Sequence, residues 1–324
     1  MSKRALLVGI DEAGYGPVLG PLVVSASVFE VGAGSFPLNF WELLKNVPVV
    51  RPEHARSGGL VVGDSKQVYG SSNKSLERLE AGVLSFASAA GMPIETTLED
   101  FVSQFGSDGR MPPDGCEWYD GEDITLPCEA DEVFFSDELR SGLEASGIRF
   151  HGFLVRPVFG PEFNREVRQL DNKADFLFKI SASLSAEVVK NFGDATDIFF
   201  LYDKQGGRKA YGPMLLETFP GCGFLVEKES KVSSAYQLLQ GGRRFFHRFE
   251  MKGDDRHLPI ALASMCSKYV RELYLRRFNS YWKSHLPELR PTAGYYVDAQ
   301  RFLKETEKLR AELAVDDDLL IRIR

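Results

Sequence analysis

Cysteine and histidine are scarce in this 324-residue chain, and neither is spaced for metal binding. The four cysteines form no CxxC pair, and the five histidines form no HxH or HxxxH pair. The sequence therefore predicts no zinc site of closely spaced Cys and His ligands. Because no cysteine framework is visible either, we expect free thiols in a reducing compartment.

Long apolar runs are also absent. No stretch of about 18 consecutive apolar residues occurs, so the sequence predicts no membrane-spanning helix and no membrane partner. The opening segment MSKRALLVGIDE reaches an acidic pair before an apolar stretch of signal-peptide length, so we expect a cytoplasmic protein. Apolar residues make up 44% of the chain and charged residues 26%, a composition typical of a folded protein.

Negative charge is concentrated in one segment. Residues 99–138 contain thirteen Asp and Glu against one Arg, which gives this acidic segment a charge of −12. Since the whole chain carries −7, the other residues together carry +5, and residues 228–277 alone carry +6. Screening limits the reach of charges to about 10 Å, so a polyanion would meet the local basic region. The basic residues either attract a nucleic acid or form an ordinary solvated surface.

Strand-like apolar runs alternate with helical patterns along the chain. The alternation favours an α/β fold. Helical stripes are predicted over residues 73–90, 172–192, 259–285 and 299–314. Strands are predicted over residues 4–10, 22–29, 149–159, 197–203, 223–230 and 246–254.

Carboxylates follow three of the predicted strands. Asp11, Asp203 and Asp254 each stand at a strand end, and Glu12 adjoins the first. Neighbouring strand ends meet at the edge where open α/β sheets hold their active sites. Clustered carboxylates repel one another unless a cation neutralises them, and oxygen ligands suit Mg²⁺ or Mn²⁺. Two such ions about 4 Å apart could stabilise both oxygens of a phosphoryl displacement. The alternative for each aspartate taken alone is a turn or a helix cap.

Several motifs, in the same order along the chain, resemble those of type 2 ribonucleases H, the family of ribonuclease HII. The segment GIDEAGYGPVLGPLVV is similar to the family form GIDEAGRGPxxGPLVV, and the segment KGDDRHLPIALASMCSKYVRE is similar to its KGD motif and following helix. Asp64-Ser65-Lys66 matches the family's DSK, IFFLYD matches its mid-chain strand, and Gly294-Tyr295 resembles its late GY pair.

This resemblance implies a fold and an activity. The expected fold is a ribonuclease-H-like mixed five-stranded sheet flanked by helices, in one domain spanning residues 1–324. Insertions are expected at about 32–60 and 100–150, with a helical extension at about 285–324. The implied activity is endonucleolytic hydrolysis of the RNA strand, or of embedded ribonucleotides, in RNA/DNA duplexes, with two Mg²⁺ or Mn²⁺ ions. The oligomeric state is left open.

The resemblance also assigns roles to individual residues. Asp11, Glu12, Asp203 and Asp254 would be the catalytic, metal-binding carboxylates. The loop of Gly14, Tyr15 and Gly16 would sense the ribose 2′-hydroxyl largely through backbone groups, which suits glycine. Lys66 would lie near a phosphate, and Tyr295 would stack near the RNA–DNA step. The alternatives are that Lys66 is an ordinary solvated lysine and that Tyr295 is a core tyrosine.

Departures from the family pattern leave three questions open. Tyr15 replaces the family's arginine, so that side chain's phosphate contact is lost. The segment YGPMLLETFPGCGFLVEKES resembles the one that precedes the fourth aspartate in archaeal and eukaryotic relatives, which makes Glu229 a reserve candidate for Asp254. We prefer Asp254 because its spacing to the following helix is intact. The acidic segment could fold over the basic groove, mimic a nucleic acid or decorate the far side.

Two other function classes are weighed against the nuclease. An actin-like ATPase or sugar kinase would use GIDEAG and Gly206-Gly207 as phosphate-binding turns, but the first turn lacks the usual Thr or Ser, and this fold needs two related domains. A catalytically inactive nucleic-acid-binding relative is the other alternative. The presence of all four carboxylates speaks against it.

Overall fold

The structure, a computed structural model, describes residues 4–32, 39–70, 75–93, 95–107, 111–130, 136–204 and 208–323. Its strands are β1 (Arg4–Ala13), β2 (Leu22–Gly32), β3 (Val49–Val50), β4 (Leu60–Val61), β5 (Thr96–Thr97), β6 (Thr125–Leu126), β7 (Ile148–Val158), β8 (Asp197–Asp203), β9 (Gly223–Glu229), β10 (Ser233–Gln240) and β11 (Arg243–Glu250).

Helices account for most of the remaining regular structure. In the described part of the chain, none of them has the length and apolarity needed to cross a membrane. They are α1 (Phe40–Leu43), α2 (Ser65–Tyr69), α3 (Glu77–Ala89), α4 (Leu98–Phe105), α5 (Ser136–Ala145), α6 (Gly160–Leu170), α7 (Lys173–Asn191), α8 (Gly212–Thr218), α9 (Gly253–Arg256), α10 (Leu258–His285), α11 (Tyr296–Glu305), α12 (Glu307–Glu312) and α13 (Asp317–Leu320).

One large mixed sheet organises the fold, with the strand order β7-β2-β1-β8-β11-β10-β9. Strand β8 pairs in parallel with both β1 and β11, and the other neighbours are antiparallel. The predicted mixed α/β architecture is confirmed. The predicted strand number of five is wrong, because β9 and β10 add an antiparallel pair beyond β11 and extend the sheet to seven.

Apolar side chains cover both faces of this sheet. One core contains Phe29, Val83 and Tyr269, and the opposite core contains Phe178 and Phe200. Helix α10 belongs to the first core and lies directly on β1. A Cβ atom added at Gly9 would lie only 2.0 Å from the carbonyl carbon of Pro259, so no larger residue fits there. This close approach places the first turns of α10 against the end of β1.

Most predicted boundaries agree with the structure. Helix α7 begins after Asn172, whose side-chain oxygen accepts hydrogen bonds from the amides of Ala174 and Asp175, as in a regular N-cap. The helix predicted over 73–90 begins at Glu77, and residues 71–74 lie outside the described part. The helix predicted over 299–314 is divided at Thr306, whose hydroxyl donates to the Phe302 carbonyl.

The acidic segment packs along α10. Arg277 is buried and pairs with Glu99 at 2.9 Å and with Asp123 at 3.6 Å. Arg276 pairs with Glu129. Part of the basic C-terminal half therefore serves to hold the acidic segment, which reduces the positive charge left for a polyanion.

Glu80 fixes one end of the acidic segment. Its fully buried carboxylate accepts hydrogen bonds from the amides of Cys128, Glu129 and Ala130 at 2.6–2.8 Å and from the Tyr269 hydroxyl at 2.6 Å. Burial by itself would raise the pKa of Glu80, but these four hydrogen bonds outweigh it and hold the pKa below its ordinary value. The ionised carboxylate therefore ties α3, α10 and the acidic segment together.

Replacing Glu80 by Gln is expected to lower the free energy of unfolding by about 2–4 kcal/mol at pH 7, because an amide nitrogen cannot accept these bonds. Since the folded pKa is lowered, the stabilisation is present at neutral pH and is lost as the pH falls through the folded pKa. Urea denaturation at pH 7 and at low pH measures both effects. Glu144→Gln on the exposed face of α5 is the control, and equal effects of the two substitutions would contradict this account.

Candidate active site

The carboxyl ends of β1 and β8 bring two aspartates side by side. Ile10 pairs with Tyr202, and the next residues on the two strands are Asp11 and Asp203. Because the strands are parallel, both acidic residues leave the sheet at the same edge. Asp11 is buried, and Asp203 is half-buried. The predicted convergence of these two strand ends is therefore found.

Asp254 reaches the same edge by a different route from the predicted one. Strand β11 ends at Glu250, and Lys252 then adopts a left-handed conformation with φ of 54°, which ends the extended chain. Asp254 consequently lies on α9 rather than at a strand end. The amide of Gly253 donates to the Asp203 carboxylate at 2.8 Å, which fixes α9 against β8.

The four carboxylates influence one another's ionisation. Burial first, and then the charges of Glu12 and Asp203, hold the pKa of Asp11 well above its ordinary value. Burial and the charge of Asp203 raise the pKa of Glu12 to about 7. Burial and the charges of Asp203 and Asp64 raise the pKa of Asp254 to about 6. Burial also raises the pKa of Asp203. Within the described residues, none of the four forms an ion pair with Lys or Arg.

The donor set is composed of oxygen atoms only, which fits a hard divalent cation such as Mg²⁺ or Mn²⁺. Burial and mutual repulsion raise the pKa values of these groups, and the charge of Lys66 offsets this only in part. The side chains do not form a closed ligand cage as they stand. Over the described ranges, no group of three or more His, Cys, Asp and Glu side chains converges closely enough to hold an ion.

Residues without a predicted role complete this edge. The Ser267 hydroxyl donates to the Asp11 carbonyl at 3.0 Å. The Ser264 hydroxyl, which donates to the Ser65 hydroxyl at 3.0 Å, lowers the pKa of Asp11. Asp64 caps α2 by accepting the Lys66 amide at 2.9 Å, and its charge raises the pKa of Asp203 and Asp254. Both serines belong to the helix that follows the KGD motif. Their spacing of three residues on α10 is the sequence feature that could have indicated their place at this edge.

Lys66 and the glycine loop lie beside the carboxylates. The positive charge of Lys66 lowers the pKa of both Glu12 and Asp203, so its ammonium lies close to them. Gly14 and Tyr15 follow directly after β1, and Gly16 is exposed. Among the described residues, the amides of Tyr15 and Gly16 donate no hydrogen bond.

Tyr295 neighbours this loop. It is 52% exposed, and its Cε1 atom lies 4.0 Å from the position that a Cβ on Gly16 would take. The Gly294 carbonyl accepts hydrogen bonds from the amides of Val18 and Leu19 at 2.8 and 3.2 Å. Tyr295 is therefore a surface side chain held next to the loop rather than a core tyrosine.

A groove of about 770 Å³ connects Lys66 with Tyr295 along one side of α10. Lys268, Arg276 and Lys283 contribute positive charge to its walls, and Glu129 of the acidic segment contributes negative charge beside Arg276. The acidic segment thus borders this groove.

Glu229, the reserve candidate, lies at the same edge of the sheet but three strands away from Asp203. It belongs to β9, which is separated from β8 by β10 and β11, and its carboxylate accepts a hydrogen bond from the Tyr236 hydroxyl at 2.5 Å. Its charge is not among the leading causes of the pKa shifts of the four carboxylates. The structure therefore brings Asp254, and not Glu229, beside Asp203.

Comparison with known proteins gives structural matches only. The chain matches no protein-family model and no curated protein. It is similar to ribonuclease HII from Archaeoglobus fulgidus, solved in complex with PCNA, at 16% identity and a TM-score of 0.44, over 98% of this chain and 94% of that one. It is also similar to ribonuclease H2 from Pyrococcus horikoshii OT3 at 15% identity and a TM-score of 0.36, over 97% and 92%.

A third similar structure is that of Bst ribonuclease HIII with Mn²⁺, at 13% identity and a TM-score of 0.39, over 99% of this chain and 67% of that one. These solved structures are all type 2 ribonucleases H, the family that the motifs resemble. Because the TM-scores lie below 0.5, the case for a function rests on the chain's own motifs and site geometry.

Replacing Asp11 by Asn is expected to stabilise the metal-free protein by about 1–3 kcal/mol near pH 7.5, because it removes a repelled buried charge. The direction of this stability change follows from the raised pKa values of the folded site. The folded site binds protons more tightly than the unfolded chain, so wild-type stability falls as the pH rises from about 4.5 to about 7. Thermal unfolding in EDTA across this range measures the effect, with exposed Asp194→Asn as the control. Destabilisation by Asp11→Asn at every pH would contradict the described electrostatics.

Proposed function

We propose that this protein is a divalent-metal-dependent endonuclease that hydrolyses the RNA strand, or embedded ribonucleotides, of RNA/DNA duplexes. The observation that carries this proposal is the meeting of Asp11, Glu12, Asp203 and Asp254 at one sheet edge, with raised pKa values and, among the described residues, no ion pair to Lys or Arg. Lys66 offsets only part of this negative charge, so the site is suited to divalent cations.

These four residues would hold the ions, with side-chain rotation bringing their oxygen atoms together. When bound, Mg²⁺ or Mn²⁺ would supply Lewis-acid stabilisation of the phosphodiester. The chain's own contribution is positional. Ser267 holds the backbone carbonyl of Asp11, and the Gly253 amide holds the Asp203 carboxylate, so the two residues keep their place at the edge.

Substrate contacts are proposed for the groups around this edge. The amides of Tyr15 and Gly16, which donate to no group among the described residues, could hydrogen-bond a ribose hydroxyl, which is the group that distinguishes RNA from DNA. Tyr295 offers an exposed ring for stacking on a sugar or base. Lys66 and the basic side chains of the groove would contact phosphates.

The alternative classes gain no specific support. An actin-like ATPase would need two related domains, whereas the described residues form one large sheet and two small two-stranded ones. Gly206 and Gly207, its second phosphate-binding turn, lie outside the described residues. An inactive nucleic-acid-binding relative would bind the same duplexes without turnover, so the cleavage assay decides between it and the nuclease.

Replacing Asp11 or Asp203 by Asn is expected to lower the rate of cleavage at least about 10³-fold without loss of fold, because each substitution removes a negatively charged ligand of the metal ions. The assay uses an RNA/DNA hybrid and a DNA duplex with one ribonucleotide, with Mg²⁺ and with Mn²⁺. Asp254→Asn should behave likewise, whereas Glu229→Gln should retain activity.

Asp194→Asn is the control for these variants, since this residue is exposed and remote from the edge. Full activity in Asp11→Asn or Asp203→Asn would refute the assignment of the site. Loss of activity in Glu229→Gln with retention in Asp254→Asn would reverse the choice of the fourth carboxylate. Metal-dependent binding of both duplexes by the wild type without cleavage would favour the inactive relative.

Lys173 supplies a cation where Tyr15 replaces the family's arginine. Its ammonium lies 4.6 Å from the centre of the Tyr15 ring, at the first turn of α7. A cation in contact with this ring is close enough to the glycine loop to attract a phosphate there. We expect Lys173 to take part of the arginine's role.

Replacing Lys173 by Gln is expected to raise KM for the hybrid about tenfold with little change in kcat, and to reduce the salt dependence of binding by about one phosphate contact. Steady-state kinetics at several salt concentrations test this. Lys190→Gln at the far end of the same helix is the matched control. An unchanged KM and salt slope in Lys173→Gln would exclude the phosphate contact.

A further inference from the structure

The late segment of the chain reaches the candidate active site through one buried arginine. We propose that Arg322 is a positioning residue for the loop Gly14–Pro17. By holding this loop in place, it would determine how strongly the site prefers ribose over deoxyribose. This inference rests on the proposed nuclease function. Arg322 contacts the back of the loop and touches none of the four carboxylates, so its effect would pass through the loop.

The contacts of Arg322 with the loop are direct. Its Nη2 atom donates hydrogen bonds to the carbonyl of Gly14 at 2.5 Å and to the carbonyl of Pro17. Its own amide donates to the Val18 carbonyl at 2.8 Å. The residue is only 1% exposed, so water does not compete for these carbonyls. One side chain therefore fixes both ends of the loop.

The segment that carries Arg322 is itself anchored. The Asn164 side-chain amide donates to the carbonyls of Ile321 at 2.8 Å and Asp318 at 2.9 Å. Its oxygen accepts the Ile323 amide at 2.9 Å. Arg168, one turn further along α6, pairs with the Asp318 carboxylate. Helix α6 thus holds the segment in the position that places the Arg322 side chain behind the loop.

A second guanidinium packs against the same loop. Gly14 has a φ of +89°, and a Cβ added there would lie 2.5 Å from Nε of Arg271. Arg271 is 1% exposed and donates to the Ala293 carbonyl at 2.9 Å. The loop carbonyls are thus engaged from behind, while the amides of Tyr15 and Gly16 keep their donors free for a ligand.

The guanidinium of Arg322 is only partly engaged by the described residues. In the part of the chain that the structure describes, no carboxylate pairs with it, and its Nε and Nη1 atoms have no hydrogen-bond partner. Its guanidinium lies 4.7 Å from the centre of the Phe163 ring. An unpaired buried charge is costly. A phosphate held at the front of the loop would supply the missing negative charge, so the arrangement favours an anionic polymer there.

The test compares Arg322→Gln and Arg322→Lys with Arg290→Gln, an exposed arginine whose side chain is 77% accessible. Each variant is assayed with Mg²⁺ on an RNA/DNA hybrid and on DNA duplexes with and without one ribonucleotide. Arg322→Gln is expected to lower kcat/KM at least 30-fold, mostly through kcat, and to reduce the preference for the ribonucleotide at least tenfold. Arg322→Lys should recover part of both losses, and Arg290→Gln should match the wild type.

Two results would overturn the proposal. One is an Arg322→Gln enzyme with wild-type kinetics. The other is an activity loss that merely follows the unfolded fraction, measured by thermal unfolding, with the ribonucleotide preference unchanged. If Arg322→Gln does not fold, Arg322→Lys decides, because a positioning role predicts a reduced preference in a folded protein and a purely structural role predicts none.

Failure of the proposed function can be told apart from failure of this inference. If the wild type neither binds nor cleaves any duplex, the nuclease proposal fails. Amide hydrogen exchange then tests the positioning of the loop alone. Arg322→Lys should accelerate exchange at Val18 and Leu19 at least fivefold over Arg290→Gln, with no change in strand β10. Unchanged exchange at both amides would contradict the role of Arg322.

Discussion

Mutual repulsion among carboxylates at one edge of the sheet is the constraint on which the rest of this structure depends. Parallel pairing of β1 with β8 sets Asp11 beside Asp203, and the left-handed turn at Lys252 adds Asp254. Such an arrangement destabilises the protein by itself, and the backbone around it is closely packed. The contact of Gly9 with Pro259 is part of that support. The repulsion lowers the stability of the folded protein at this edge, and a bound cation can restore it.

The charges elsewhere in the molecule determine the electrostatic potential near this edge. Glu129 and Glu99 of the acidic segment pair with Arg276 and Arg277 on α10. Lys66 lies near the four carboxylates, and the Lys173 ammonium lies 4.6 Å from the centre of the Tyr15 ring. A whole-chain charge of −7 therefore coexists with a locally positive approach to the site.

Local patterns in the sequence predict the elements that carry the chemistry. The apolar runs before Asp11 and Asp203 and the helix after Asn172 are found where their spacing predicts them. Asp254 was misplaced because a strand pattern does not reveal the left-handed turn at Lys252. Strand β10 was missed, although the pair Gly241-Gly242 before β11 is a hairpin signal. Arg322 contacts a residue 308 positions earlier in the chain, and no local pattern reports such a contact.

The most direct measurement is a crystal structure grown with millimolar Mn²⁺, with anomalous scattering data collected to locate the ions. The account predicts anomalous peaks about 2 Å from carboxylate oxygens of Asp11 and Asp203, with Glu12 and Asp254 turned toward them. Carboxylates that remain apart, with no peak at this edge under conditions that load Mn²⁺ elsewhere, would contradict the central claim.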